Sequence, residues 1–165
     1  SHTVRSLGAF FDRMDVPTVT SDIRAATALI RQAKTVVLIG AGTSKGLASY
    51  GTHLLANFGV YALQVNETSQ PLPVTKVDLS DAVLLLLSAS GESEDVIQQG
   101  IFYQQNGAKL IVITASSHST AAGIGDVVLT YDTPEVQAIT GGSTLSQLPV
   151  IYFLEQITMG VQKVE

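Results

Sequence analysis

Apolar positions change period several times along the chain, and each change marks an element. Ala25, Ala26, Leu29, Ile30 and Ala33 share one helical face, with Thr20 as the expected N-cap and Asp22 in the first turn. Residues 36–39 form instead a continuous apolar, largely β-branched run closed by Gly40, the pattern of a strand buried on both faces. A helix is expected over 44–58, ended by Gly59, and a second strand over 60–65. Residues 66–80 contain Pro71 and Pro73 and read as loop. The most apolar run, 82–87, is the expected central strand. A helix over 93–106, a strand over 110–114, a short helix over 119–124 and a fifth strand over 127–131 follow. A long apolar segment then runs from 143 to 161.

Strand and helix alternate from residue 36 onward. That alternation predicts an α/β fold, a three-layer αβα sandwich around a five-stranded parallel sheet. Five strands suit the flavodoxin-like order 2-1-3-4-5, in which ligands bind where the strand order reverses. The reversal would place the loop after Ile39 beside the loop after Leu87. Residues 1–20 read as a lead-in and residues 21–165 as one domain.

Composition narrows the function. The 165 residues are 45% hydrophobic and only 14% charged, which predicts apolar surface buried in a homodimer or homotetramer. Without cysteine there is neither a disulfide nor a thiolate metal site, and three scattered histidines give no zinc motif. No metal or cofactor is expected. The net charge of −5 argues against nucleic-acid contact by this segment itself. No apolar run reaches the roughly 18 residues of a membrane span, and no signal peptide is visible, so a cytoplasmic location is expected.

Two loops carry the candidate chemistry. Gly40-Ala41-Gly42-Thr43-Ser44 leads into a helix, where free amides, the helix dipole and two hydroxyls suit a phosphate. A tight turn with a serine cap explains that loop equally well. Ser88-Ala89-Ser90-Gly91-Glu92-Ser93 places three hydroxyls around one glycine at a second helix start. Helix capping accounts for Ser93 but not for Ser88 and Ser90. Lys45 is the only nearby cation, and Glu92, Glu94 and Asp95 repel a dianion unless they turn away.

These loops resemble those of the SIS (sugar isomerase) family, G-x-G-x-S and S-x-S-G-[ED]-[ST]. The similarity continues through Gly107-Ala108, residues 111–114, Ser119 and Asp126, and covers roughly 23–157. It implies that Gly42, Thr43, Ser44, Ser88, Ser90, Gly91 and Ser93 bind a phosphorylated sugar or amino sugar. The run Ser143-Thr144-Leu145-Ser146-Gln147-Leu148 is similar to the opening of the last helix in RpiR-type transcription regulators. On that resemblance the chain is a sensing module of a larger regulator whose DNA-binding helices lie outside these residues, with 1–20 as a linker from them.

A sugar-phosphate aldose–ketose isomerase is the alternative. Small isomerases of the hexulose-phosphate type are similar across Glu67-Thr68 and Pro71 and over the last helix, but Gln147 stands where they carry a glutamate. Isomerisation needs a base beside the carbonyl carbon, which glutamine cannot supply. Glu67 is the one candidate base. The arabinose-phosphate isomerases carry His-Gly-Asp after the second strand, whereas this chain reads Asn66-Glu67-Thr68-Ser69-Gln70. His53 falls mid-helix, and His118 lies in a serine-rich loop that would reach a neighbouring subunit's site. A dinucleotide fold fits less well: Gly40, Gly42 and Gly46 are spaced GxGxxxG, and the second serine loop has no role there. No GxSxG elbow marks a serine hydrolase.

Overall fold

A computed structural model describes residues 1–131, 135–137, 140 and 143–162. Two helices open the chain, α1 (His2–Met14) and α2 (Pro17–Gln32). Then β1 (Thr35–Gly40), α3 (Ser44–Asn57), β2 (Ala62–Gln64) and β3 (Ala82–Leu87) alternate. The chain continues through α4 (Glu94–Gln105), β4 (Lys109–Thr114), α5 (Thr120–Ile124) and β5 (Val127–Thr130). A short antiparallel pair, β6 (Glu135–Gln137) and β7 (Ser143–Leu145), precedes α6 (Leu148–Val161).

The main sheet is entirely parallel in the order β2-β1-β3-β4-β5, as the alternation predicts. Side chains alternate across its two faces. Val36, Leu38, Leu85, Leu87, Ile111 and Leu129 point to one side, against Ala26 and Ile30 of α2, Ala48 and Leu55 of α3 and Phe153, Leu154 and Ile157 of α6. Val37, Ile39, Leu84, Leu86, Leu110 and Val112 point to the other, against Val96 and Ile97 of α4 and Ala121 of α5. All six β3 positions are buried because both faces are covered and a strand flanks each edge. The result is the three-layer, flavodoxin-like sandwich.

Four local expectations change. The second helix begins at Pro17 with Val16 as N-cap, so Thr20 lies inside it and does not cap it. Proline at the first helical turn fixes the start there, since its missing N–H is one the helix does not use. The pattern names no element before Thr20, yet α1 occupies 2–14 and buries Phe10 in the core. Ser143–Leu145 is a strand, and the last helix opens only at Leu148, with Gln147 as its N-cap and Pro149, buried, in its first turn. The second strand is shorter than expected, three residues on the sheet edge. Among the described residues no helix is long and apolar enough to cross a membrane.

Candidate phosphate-ester site

The two serine-containing loops lie side by side at the strand-order reversal. β1 and β3 are paired to their last residues, Gly40 opposite Leu87, and the Ala41 amide donates to the Leu87 carbonyl at 3.0 Å. Gly40 is required by close approach: a Cβ there would collide with the Ser44 carbonyl. Gly42 turns the first loop with φ +56°. That turn is closed by the Ser44 amide on the Ala41 carbonyl at 2.9 Å and the Lys45 amide on the Gly42 carbonyl at 3.1 Å. Ser44 is buried at the floor, while Gly42 and Thr43 are exposed on the rim.

The second loop folds around its own hydroxyls. Ser88, buried, accepts the Gly91 amide on Oγ at 3.0 Å, and exposed Ser90 accepts the Glu92 amide at 3.1 Å. A serine hydroxyl that accepts still has its proton to donate. Both serines therefore shape the loop and remain donors toward an anion. Gly91 has φ +70°, and its missing Cβ leaves the space taken by the Ser119 side chain. Ser119 accepts the Ala122 amide at 3.2 Å and donates to the Ser116 carbonyl at 2.8 Å, capping α5.

Neither helix start uses its hydroxyl as a cap. Thr43 at α3 and Ser93 at α4 make no side-chain capping bond. The amides of Gly42, Thr43, Ser90 and Ser93 have no hydrogen-bond partner among the described residues. Simple capping, which explains such loops from sequence alone, leaves no hydroxyl and fewer amides unused.

Glu92 and Asp95 are engaged elsewhere. Both Glu92 oxygens are held at the start of α5, by the Thr120 amide and the Thr120 hydroxyl, each at 2.7 Å. Those two bonds, the amide's first, lower the Glu92 pKa below the ordinary glutamate range. Asp95 accepts the Thr68 hydroxyl on one oxygen and the Val96 amide on the other at 2.9 Å. Thr68 thereby ties the loop after β2 to the first turn of α4, and its carbonyl takes the Gln99 amide at 3.5 Å. Sequence reasoning named Thr68 only within a family resemblance and gave it no role. Its signal was a threonine next to Glu67 in a stretch otherwise read as loop.

Glu67 is exposed, and its carboxylate accepts the Ser69 hydroxyl at 2.6 Å and the Ser69 amide at 3.2 Å. The hydroxyl first, then the amide, holds its pKa below the usual value; burial opposes slightly, and Lys45 adds to the lowering. His53 and His118 are exposed, and the His118 amide donates to Ser116 Oγ at 3.3 Å. Gln147 differs from all of these: neither of its buried amide atoms has a hydrogen-bond partner among the described residues.

Fold and site together define an α/β domain with a hydroxyl- and amide-lined crevice at the carboxyl ends of parallel strands. The SIS domain family model matches residues 29–156, and the chain belongs to that family. An uncharacterised HTH-type transcriptional regulator of Clostridium perfringens (strain 13 / Type A) is 29% identical over 135 residues, 82% of this chain and 48% of its own length. The HTH-type transcriptional regulator RpiR of Escherichia coli (strain K12) is 28% identical over 114 residues, 69% of this chain and 38% of its own. The chain thus spans half or less of these regulators. Among solved structures, the Vibrio vulnificus NanR protein complexed with ManNAc-6P superposes with a TM-score of 0.76 at 18% identity, covering 96% of this chain and 58% of that one.

Proposed function

We propose that this chain is the ligand-sensing effector domain of an RpiR-type transcription regulator and binds a phosphorylated sugar or amino sugar without converting it. Gly42, Thr43, Ser44, Ser88, Ser90, Gly91 and Ser93 hold the phosphate; no cofactor takes part. The observation that carries the reading is the pair of helix starts at the strand reversal whose hydroxyls and amides are not used as caps. The regulator relatives and the phosphosugar complex of NanR point the same way. The domain acts as a cytoplasmic homo-oligomer, and its DNA contacts belong to other parts of the regulator.

Two features support sensing over isomerisation. The residue opening α6 is Gln147, which cannot move a proton. Glu67 has its pKa lowered by Ser69, whereas a general base works best with a pKa near the operating pH. The test is thermal melting with a panel of pentose, hexose and N-acetylhexosamine phosphates beside the unphosphorylated sugars. A specific ligand raises the melting temperature by mass action, by about 2.7 kcal/mol of stability at a hundredfold excess over Kd. A shift with no phosphorylated sugar would overturn the reading only if inorganic phosphate also failed to bind; otherwise the panel is widened by sugar chain length.

A further inference from the structure

The end of α1 lies over the carboxyl ends of β4 and β5, and a cavity of about 280 Å³ separates them. Arg13 and Met14 of α1, Ala115 and Ser117 after β4, and Tyr131 after β5 line it, with Phe10 beneath. This cavity adjoins the serine crevice. The Ala115 amide donates to the Ala89 carbonyl at 3.0 Å, and Ala89 sits between Ser88 and Ser90. The crevice opens between β1 and β3 and the cavity between β4 and β5, two strand spacings apart in the sheet, about 9.6 Å. That is about the reach of an open six-carbon chain from its phosphate to its far end.

Among the cavity's lining groups, the Arg13 guanidinium is the one that can only donate. The Arg13 side chain makes no ion pair or hydrogen bond to any described residue. Asp12, one position away on the helix, does not share its face, and Asp15 lies beyond the helix end. The buried Tyr131 hydroxyl keeps its proton, since burial pushes its pKa up to about 12 and the neighbouring Gln147 amide offsets this only in part.

We propose that this cavity is a second subsite which takes a carboxylate at the end of the sugar remote from the phosphate, so that phosphorylated sugar acids are the preferred ligands. The proposal rests on the phosphate-site reading above. A guanidinium matches a carboxylate through two parallel N–H bonds, and the Tyr131 hydroxyl supplies a further donor.

The test is calorimetry with two probes, 6-phosphogluconate and glucitol 6-phosphate. They share the phosphate and carbon chain and differ in carboxylate against hydroxymethyl at the far end. The wild-type protein is expected to prefer the phosphogluconate at least about tenfold, the size of one charge-assisted hydrogen-bonded contact. Arg13→Gln, an exposed change that leaves the fold intact by melting, should reduce that preference below about threefold while inorganic phosphate binds as before. Tyr131→Phe should reduce it in part. Equal wild-type affinity for the two probes overturns the subsite and leaves the phosphate site standing. So does a preference that survives Arg13→Gln, or a loss in that variant that is equal for both probes and for phosphate. Failure of both probes and of inorganic phosphate overturns the phosphate site and the subsite together.

Discussion

The Ser88 hydroxyl oxygen accepts the Gly91 amide at 3.0 Å inside the loop that follows the central strand. The same side chain therefore shapes the loop and offers its proton to a ligand, and two consequences separate on mutation. Ser88→Ala leaves a buried amide without a partner, which costs about 1–3 kcal/mol of stability. Together with Ser90→Ala it also removes two donors to a charged acceptor. Calorimetry on the double variant should show sugar-phosphate affinity reduced at least about tenfold, with circular dichroism unchanged. Unaltered affinity would remove these serines from the site.

Gly91 has φ +70°, and Ser119 occupies the space where a side chain would go. Alanine there adopts a backbone conformation that costs about 1–3 kcal/mol and must also displace the α5 cap. Gly91→Ala should lower the melting temperature and weaken phosphate binding together. Gly46→Ala is the control: it lies in open space inside α3, where alanine is the better helix former. A Gly91→Ala protein as stable as wild type would contradict the geometry.

Acid should loosen the α4–α5 corner. Glu92 has its folded-state pKa below the ordinary value of 4.5, because the Thr120 amide and hydroxyl favour its charged form. A group of this kind contributes stability above its unfolded pKa and loses it as pH falls through the folded one. Melting temperature should therefore fall as pH drops through and below the ordinary glutamate range, and Glu92→Gln should flatten part of that fall while lowering stability at neutral pH. Glu67 and Asp78, also lowered by their bonds to Ser69 and Ser80, contribute in the same direction and remain in the variant. A variant with the wild-type pH profile would show that the Thr120 contact does not act in solution.

How much of this was legible in sequence follows from range. The β1 and β3 runs are continuous and apolar because both faces are covered, so the strands, their order and the meeting of their loops could be read directly. The destination of Glu92 could not: Thr120 is 28 positions away, and nothing local says which way a loop carboxylate turns. Thr68 meeting Asp95 across 27 positions is the same case. The pair β6 and β7 was missed because three-residue strands give too few alternations to register as a period. The helix α1 does carry a helical apolar pattern, Val4, Leu7, Phe10 and Phe11, and Met14, which the reading passed over as a lead-in.

Apolar surface predicts self-association. Leu148 and Met159 of α6 stay 48% and 50% exposed, and Val4 of α1 stays 68% exposed. Phe11 of α1 stacks edge-on against Tyr152 of α6 at 5.5 Å, so these two helices form one continuous flank. Exposed apolar surface of that kind marks an interface. Sedimentation velocity at micromolar concentration should show a dimer or tetramer, and Met159→Glu should shift it toward monomer if α6 is the contact. A wild-type monomer would refute the assembly.

Binding without turnover is the prediction with the most functional weight. The groups that the proposed phosphate site requires are all present: Ser44 and Ser88 are buried, Ser90 and Ser93 lie nearer the surface, and neither Glu92 nor Asp95 is a hydrogen-bond partner of these serines. The proton-transfer groups are not complete. Gln147 opens α6, both histidines of the central region are exposed, and Glu67 is a weakened base fixed on Ser69. A sensor needs only a phosphate site and contacts to the sugar, whereas an isomerase must hold a base beside the substrate carbon. NMR of a bound sugar phosphate in heavy water separates the two. No deuterium should enter the carbon next to the carbonyl over many hours at saturating ligand. Incorporation that disappears in Glu67→Gln would sink the sensor reading and make Glu67 the base despite its lowered pKa. Incorporation that persists in that variant would sink it as well and rule out Glu67 as the base.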